Sequence, residues 1–349
     1  MRVAVLFGGR SGEHEVSLAS AANVMAALDP AKYEVEPIGI DRSGKWLASA
    51  DAHQLLSERQ PFEGHEPARA LAAIGASGTR PVDVVFPVLH GTYGEDGSLQ
   101  GFLEMAGFPY VGCGVLASAL AMDKVMSKRV FREQGLPITN YAWFRANEWS
   151  AAKQSEVEQA CGYPCFVKPA NLGSSVGVSK AHDAAELEAA VRTAARFDTK
   201  IVVERAVPEA REIECSVLGN DQPRASVPGE VVPSREFYDY AAKYLDGTSE
   251  LLIPASLDTD LAARIQATAI QAFQAVDCSS MARVDFLLNR ATGELFLNEL
   301  NTIPGFTAIS MYPKLWEVSG LPLRELVDQL IELALKRHQQ RAQLSTASN

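Results

Sequence analysis

The chain has 349 residues, with 32 basic against 43 acidic side chains, a formal net charge of −11, and 47% hydrophobic against 21% charged residues. That length predicts more than one domain, because single cores stop growing beyond about 250 residues, and the composition excludes a wholly disordered, collagenous or coiled-coil chain. The acidic balance leaves no electrostatic footprint for gripping a nucleic-acid backbone, so nucleic acid is not an expected partner.

The chain opens with a β-favouring run from Arg2 to Phe7, then glycines, then helical spacing over Val16 to Leu28: strand, loop, helix. The apolar stretch stops at Gly8-Gly9-Arg10, too short and wrongly flanked for a signal peptide, and no apolar run reaches membrane-spanning length. A cytosolic location with no membrane partner is therefore expected. Further apolar runs at Tyr33 to Ile40 and Val82 to Leu89 read as parallel strands joined by crossovers, making residues 1–117 one N-terminal α/β domain. A single amphipathic helix is expected from Ser118 to Gln134, stopped by Gly135 and Pro137, with the domain boundary at its start.

Residues 118–205 then read as a small α+β unit. It has strands at Tyr141 to Phe144 and Cys165 to Lys168, a glycine-rich turn followed by another strand, and helices at Ala151 to Ala160 and Asp183 to Arg196. Residues 206–349 form the third unit. Strands are expected at Glu212 to Leu218, Met281 to Asn289 and Glu294 to Leu300, after one at Ile201 to Glu204, with helices near Asp258 to Ala275 and Leu323 to Gln339. Apolar residues at 323, 326, 327, 330, 331 and 334 give that last helix one buried stripe, and Lys336, Arg337 and His338 complement its dipole. The five cysteines are odd in number and match neither a disulfide framework nor zinc spacing, so they are read as reduced, mostly buried thiols.

Three segments could carry chemistry. Asn171 to Gly177 follows Val167-Lys168-Pro169. Small residues let backbone N–H groups approach an anion, and a lysine at the preceding strand end supplies a point charge for phosphate. The spacing is not that of a Walker A loop, and a plain β-hairpin turn explains Gly173 and Gly177 equally well. In the second segment, alternation puts Arg283 and Asp285 on one face of a strand and Glu299 and Asn301 on one face of the next. If the two strands pair, these hard oxygen donors suit Mg²⁺; the competing reading is a polar edge face, against which the neighbouring run Leu295 to Leu297 would favour burial of Glu299 and Asn301. The third segment, Gly8 to Ser17, lacks the G-x-G-x-x-G spacing of a dinucleotide fold, and the loop from His90 to Gly97 ends a strand where either a site or a turn would fit.

Taken together, Leu6 to Ser17, Leu89-His90-Gly91 with Gly94 to Gly97, Met122-Asp123-Lys124, Val167-Lys168-Pro169, Gly173 to Gly177, Lys243-Tyr244-Leu245, Arg283-Val284-Asp285 and Asn298 to Gly305 resemble the ATP-grasp superfamily. The match is closest to the D-alanine:D-alanine ligases and runs over essentially the whole chain. The resemblance implies an α/β (α+β ATP-grasp) fold in which the N-terminal parallel α/β domain precedes a two-subdomain ATP-grasp body. It also implies ATP-dependent joining of two D-alanines through a D-alanyl phosphate, for peptidoglycan synthesis, by a cytoplasmic homodimer.

Carried over by residue, the resemblance gives Lys124 and Lys168 to the ATP phosphates, with Gly173, Ser175 and their loop closing over them and Lys243 also on the nucleotide side. Glu204 and Glu212 become adenosine contacts. Asp285, Glu299 and Asn301 would hold two Mg²⁺ (or Mn²⁺) ions. Glu13 would anchor the first D-alanine's ammonium in a hydrogen-bonded set with Ser174 and Tyr244. Arg283 and the Gly305 N–H would stabilise the oxyanion, Ser310 would bind the second D-alanine's carboxylate, and Glu236 to Gly247 would cover the site. The alternatives are a D-alanine:D-lactate enzyme, a biotin-dependent carboxylase, which would need a carrier partner, and a non-catalytic nucleotide-binding regulator, which should have lost a metal ligand or phosphate lysine.

Overall fold

In the computed structural model the described residues are 1–48, 50–58, 82–232 and 250–344, and they form three sheets. The first contains β1 (Arg2–Gly8), β2 (Glu34–Ile40), β3 (Trp46–Ala48) and β4 (Val84–Pro87) in the order β3-β2-β1-β4. The pairs β1–β2 and β1–β4 are parallel, as expected, while β3 is an antiparallel edge strand. β1 is a continuous apolar run because both its faces are covered. Val3, Val5 and Phe7 pack in one cluster, Ala4 and Leu6 in another.

The first cluster takes in α1 (His14–Ala27) and, from the far end of the chain, Ile303, Phe306, Tyr312 and Trp316 with the apolar stripe Leu326, Val327, Leu330, Ile331 and Ala334. The N-terminal sheet thus completes its core with C-terminal residues. α2 (Ala50–Glu58) lies in the crossover expected between the second and third apolar runs, and α3 (Ser98–Met105), which the sequence reading did not place, follows β4.

The expected single helix over residues 118–134 is instead two, α4 (Val115–Met122) and α5 (Lys124–Glu133), so a boundary placed at residue 118 falls inside α4. The break is at Asp123, whose backbone is extended (φ −83°, ψ 101°) and whose carboxylate caps α5 by accepting from Val125 and Met126 N–H. Helical periodicity runs through both segments, which is why the sequence pattern merges them.

The second sheet has β5 (Tyr141–Arg145), β6 (Cys165–Pro169), β7 (Ser179–Ala181) and β8 (Lys200–Arg205) in the order β5-β8-β6-β7, all antiparallel. Two helices, α6 (Ala151–Cys161) and α7 (Ala184–Ala194), cover its apolar face through Val157, Leu187 and Val191.

The third sheet has β9 (Ala210–Gly219), β10 (Arg224–Ala225), β11 (Gly229–Val232), β12 (Glu250–Leu252), β13 (Ser280–Asn289) and β14 (Leu295–Asn301), with path β12-β11-β9-β13-β14 and β10 beside β9. α8 (Thr259–Ala275) packs on it through Ile265, Ala269 and Phe273, and α9 (Met311–Val318) and α10 (Leu323–Ala342) end the fold. All five cysteines are free and buried. No helix among the described residues is long and apolar enough to cross a membrane.

Simple alternation along β14 would send Glu299 and Asn301 to the same face as Leu295 and Leu297, into the core. The structure corrects that expectation. Asp285 pairs with Glu299 but Phe286 pairs with Leu297, so Asn298 is an extra residue, a β-bulge. Beyond it the alternation inverts: Leu300 becomes buried while Glu299 and Asn301 are half-buried on the opposite face.

Phe306 is fully buried, edge-on to Phe86 with ring centroids 6.0 Å apart and tilted to Tyr312 at 5.6 Å, so it joins the N-terminal sheet to the segment after β14. Phe306→Ala should lower the unfolding free energy by about 3–5 kcal/mol. Urea titration followed by circular dichroism checks this, and a loss below about 1 kcal/mol would show that the two regions do not share one core.

Candidate functional site

Glu13 is buried at the N-terminus of α1, where the β1–α1 loop delivers it between two other loops. Its N–H donates to Ser11 Oγ at 3.2 Å, and the Ser11 hydroxyl donates to His90 O at 2.6 Å. The Ser174 hydroxyl donates to Glu13 Oε1. Backbone crowds this carboxylate, since a Cβ on Gly173 would lie 3.0 Å from Glu13 Oε2 and one on Gly91 only 2.8 Å away. Any side chain at these two positions would displace the carboxylate.

The loop that carries Ser174 joins antiparallel β6 and β7, so it is the hairpin connection of one reading, and its Gly173 and Ser174 line the cavity described below. Ser174 and Ser175 both have left-handed backbones, φ 52° and 58°. Such non-glycine strain costs of order 1–3 kcal/mol per residue and persists only where surroundings enforce it. Here the bond to Glu13 is one such restraint.

Lys124 is the first residue of α5, placed by the break at Asp123. Its ammonium donates to Leu172 O at 2.7 Å and lies 3.8 Å from Glu299 Oε2. One turn on, Lys128 is 1% exposed and pairs with Glu204 Oε2 at 3.3 Å, as Lys168 does from β6. Burial alone would raise the Glu204 carboxyl, but Lys128 and then Lys168 outweigh it and hold the group below its ordinary value. Burial, with Lys168 nearby, pulls the Lys128 ammonium down against the opposing pull of Glu204.

On the third sheet Arg283 Nε and Nη2 donate to the two oxygens of Asp285 at 2.7 Å each, and Nε lies 3.1 Å from Glu214 Oε2. The ladder aligns Asp285 with Glu214 on one side and with Glu299 on the other, and Arg283 with Asn301. Glu212 stands two residues from Glu214 and so on the same face of β9. Each carboxylate oxygen has two lone pairs, so Asp285 keeps acceptor capacity beyond Arg283, and Asn301 Oδ1 likewise beyond its bond from Ile303 N–H at 3.0 Å. Two carboxylates and an amide oxygen fit Mg²⁺ or Mn²⁺ completed by phosphate oxygens and water. Among the described residues no three His, Cys, Asp or Glu side chains cluster as a self-sufficient metal cage.

After β14 the chain forms a strap. The His90 carbonyl-facing nitrogen, Nδ1, donates to Ile303 O at 2.9 Å, so Nε2 accepts from the Ser20 hydroxyl at 3.1 Å, and Ser20 Oγ accepts from Phe306 N–H at 3.1 Å. Burial lowers the His90 pKa, which favours this neutral tautomer. Asn23 Nδ2 donates to Phe306 O at 2.9 Å. Gly305 is thereby held between two pinned residues. Ser310 Oγ accepts from Thr307 N–H at 3.0 Å and bonds the Thr307 hydroxyl at 2.8 Å.

These elements surround a cavity of about 230 Å³ whose lining includes Glu13, Gly173, Ser174, Lys124, Arg283, Glu299, Asn301, Gly305 and Ser310. Lys168, Ser175, Glu204, Glu212 and Asp285 stand outside that lining; Lys168 and Glu204 meet in the lysine–glutamate group, and Asp285 is bonded to Arg283, which does line it. Lys243, Tyr244 and the expected covering segment 236–247 lie outside the described residues, apart from which every site residue named from the sequence is placed. Sequence reasoning missed Lys128, Glu214 and Glu95. Helical i+4 spacing from Lys124 was a usable signal for the first and alternation from Glu212 for the second; nothing in the local pattern around Gly94 to Gly97 distinguishes Glu95 from a turn residue.

Residues 2–113 match the family described as "D-ala D-ala ligase N-terminus" and residues 130–332 the one described as "D-ala D-ala ligase C-terminus". A D-alanine–D-alanine ligase from Thermoanaerobacter sp. (strain X514) is 51% identical over 354 residues, covering 97% of this chain and 98% of its own. The one from Solibacter usitatus (strain Ellin6076) is 51% identical over 345 residues, covering 98% and 97%. Among solved structures, the D-alanine-D-alanine ligase from Coxiella burnetii aligns with TM-score 0.82 at 38% identity over 98% of this chain and 97% of that one. The VanG D-Ala:D-Ser ligase from Enterococcus faecalis aligns with TM-score 0.82 at 37% identity over 95% and 99%.

Lys128→Met removes one partner of a buried ion group and should cost about 3–5 kcal/mol of stability. The folded Glu204 carboxyl titrates below its unfolded counterpart, so its contribution is full above the unfolded value and is lost as pH falls through the folded one. With one lysine gone that depression shrinks, and the stability lost on acidification below about pH 4.5 should be smaller than in the unsubstituted chain. Urea midpoints measured between pH 3 and pH 7 check both; equal acid limbs would remove Lys128 as the holder of that charge.

Proposed function

The chain belongs to the D-alanine–D-alanine ligase family, and from that premise we propose how the residues around its cavity divide the work. The enzyme joins two D-alanines in an ATP-dependent, ADP-forming reaction that serves peptidoglycan synthesis. The observation that carries the assignment of roles is the bond from Ser174 to Glu13, which ties the loop after Lys168 to the opposite wall of the cavity.

In this reading Glu13 takes the ammonium of the first D-alanine. Lys124, Lys168 and the N–H groups of Gly173 to Gly177 take the ATP phosphates, with Lys243 joining them, while Glu204 and Glu212 serve the adenosine side. Two Mg²⁺ or Mn²⁺ ions held by Asp285, Glu299 and Asn301 would supply neutralisation of phosphate charge. The first carboxylate attacks the γ-phosphorus, the β–γ bond breaks, and ADP leaves D-alanyl phosphate. The second D-alanine, its carboxylate on Ser310, attacks the carbonyl carbon through its neutral amine. Arg283 and the Gly305 N–H meet the oxyanion that forms, and phosphate departs. Arg283 suits this part because its carboxylate partners already fix its guanidinium, so little reorganisation is needed. Tyr244 and its loop would exclude water that otherwise hydrolyses the acyl phosphate.

The same reading keeps three units, with the expected first boundary at 118 moved to before Val115 so that α4 stays whole and the second kept at 205/206, and makes the enzyme a cytoplasmic homodimer whose small-molecule partners are ATP and D-alanine. Sedimentation velocity at micromolar concentration tests the dimer.

ADP release should require D-alanine and be negligible with L-alanine. Glu299→Gln keeps the side-chain volume and removes one charge from the proposed ion site, so turnover should fall at least about 10²-fold with the melting temperature unchanged, and Arg283→Ala should lose a similar factor. Coupled ADP assay and dipeptide chromatography read these outcomes. Equal turnover of L-alanine, or near-normal Glu299→Gln at moderate Mg²⁺, would overturn the respective assignment.

A further inference from the structure

One acidic side chain on the cavity wall has no part in the scheme above. Glu95 lies in the loop between β4 and α3, is 8% exposed, and lines the cavity together with Glu13. Its Oε1 accepts from Gly91 N–H at 2.9 Å. Its Oε2 is buried and has no hydrogen-bond partner among the described residues. An orphaned buried carboxyl oxygen costs free energy unless some other group completes it.

The two carboxyl groups are close neighbours. A Cβ on Gly173 would lie 3.0 Å from Glu13 Oε2 and 3.7 Å from Glu95 Oε1, and Gly91 touches both groups, by its N–H to Glu95 and by its Cα side to Glu13. Among the described residues no basic side chain is paired with Glu95; Arg283 acts on it only at a distance, and Glu13 and Glu299 repel its charge. Burial and then Glu13 push its carboxyl well above the ordinary range, because a second negative charge beside Glu13 and out of water is unfavourable. A cation arriving at Glu13 reverses that balance, because it attracts both charges at once.

We propose that Glu95 shares with Glu13 the recognition of the first substrate's ammonium group, and so selects an amino acid over a hydroxy acid at that position. This rests on the reading of Glu13 as the ammonium anchor. Two carboxyl groups flanking one glycine make a site whose field favours a monovalent cation, whereas a hydroxyl in the same place has one proton to donate, cannot serve both carboxyl groups at once, and gains no charge–charge attraction from the second.

The test is equilibrium binding, by calorimetry, of D-alanine and of D-lactate to the whole enzyme with Mg²⁺ and a non-hydrolysable ATP analogue. Glu95→Gln keeps an oxygen for Gly91 N–H and removes only the charge, and an unchanged affinity for the ATP analogue shows that the variant is folded. D-Alanine binding should weaken about tenfold or more while D-lactate binding changes less than about twofold. Glu13→Gln run in parallel separates the two ideas. If Glu13→Gln abolishes the preference for D-alanine and Glu95→Gln leaves it intact, Glu95 has no share in recognition and the reading of Glu13 stands. If neither changes the preference, both fall. Equal weakening of the two ligands in Glu95→Gln would reduce the residue to a support for the Gly91 turn and overturn the proposal.

Discussion

The guanidinium of Arg283, held against Asp285 and close to Glu214, is the interaction on which the charged face of the third sheet depends. Carboxylates taken out of water are tolerated only when paired and hydrogen-bonded. Three acidic side chains, Glu214, Asp285 and Glu299, occupy aligned positions on neighbouring strands, and one planar cation at the ladder position below serves the first two. Lysine, a point charge on a flexible stem, would not engage both oxygens of Asp285 and still lie beside Glu214. The same rule reappears across the cavity, where Lys128 and Lys168 share the single carboxylate of Glu204.

Around that charged face the backbone is arranged by small irregularities rather than by regular elements. The break at Asp123 turns one helix into two and puts Lys124 at a helix start. The bulge at Asn298 turns Glu299 away from the core. The left-handed pair Ser174 and Ser175 brings a hydroxyl onto Glu13. Each costs regular hydrogen bonding or backbone comfort, and each sits where a polar side chain must face the cavity instead of following its element's period.

The strap from Ile303 to Ser310 links these devices to global stability. It is pinned by His90 and Ser20 from the N-terminal region, and its Phe306 lies in the core that the N-terminal sheet shares with α10. The ladder ends where the strap begins, so the position of Gly305 and Ser310 relative to Arg283 is set by packing between the two ends of the chain.

By itself the sequence determined most of the element order, the apolar stripes of β1 and α10, the reduced state expected of the cysteines, and the family, since ordered motifs spread over the whole chain carry that information without any geometry. It placed Glu13, Ser174, Arg283, Glu299 and Ser310 among the functional residues, and the structure brings them to one cavity. It misjudged the helix over residues 118–134 and the facing of Glu299, because periodicity is blind to a cap that interrupts a helix and to one inserted residue that inverts a strand. Lys128, Glu214 and Glu95 were decided only by tertiary structure. Their importance lies in which charge stands next to which, and that is fixed by contacts between segments about 70 to 80 residues apart, a distance over which no local pattern in a sequence reports an electrostatic neighbour.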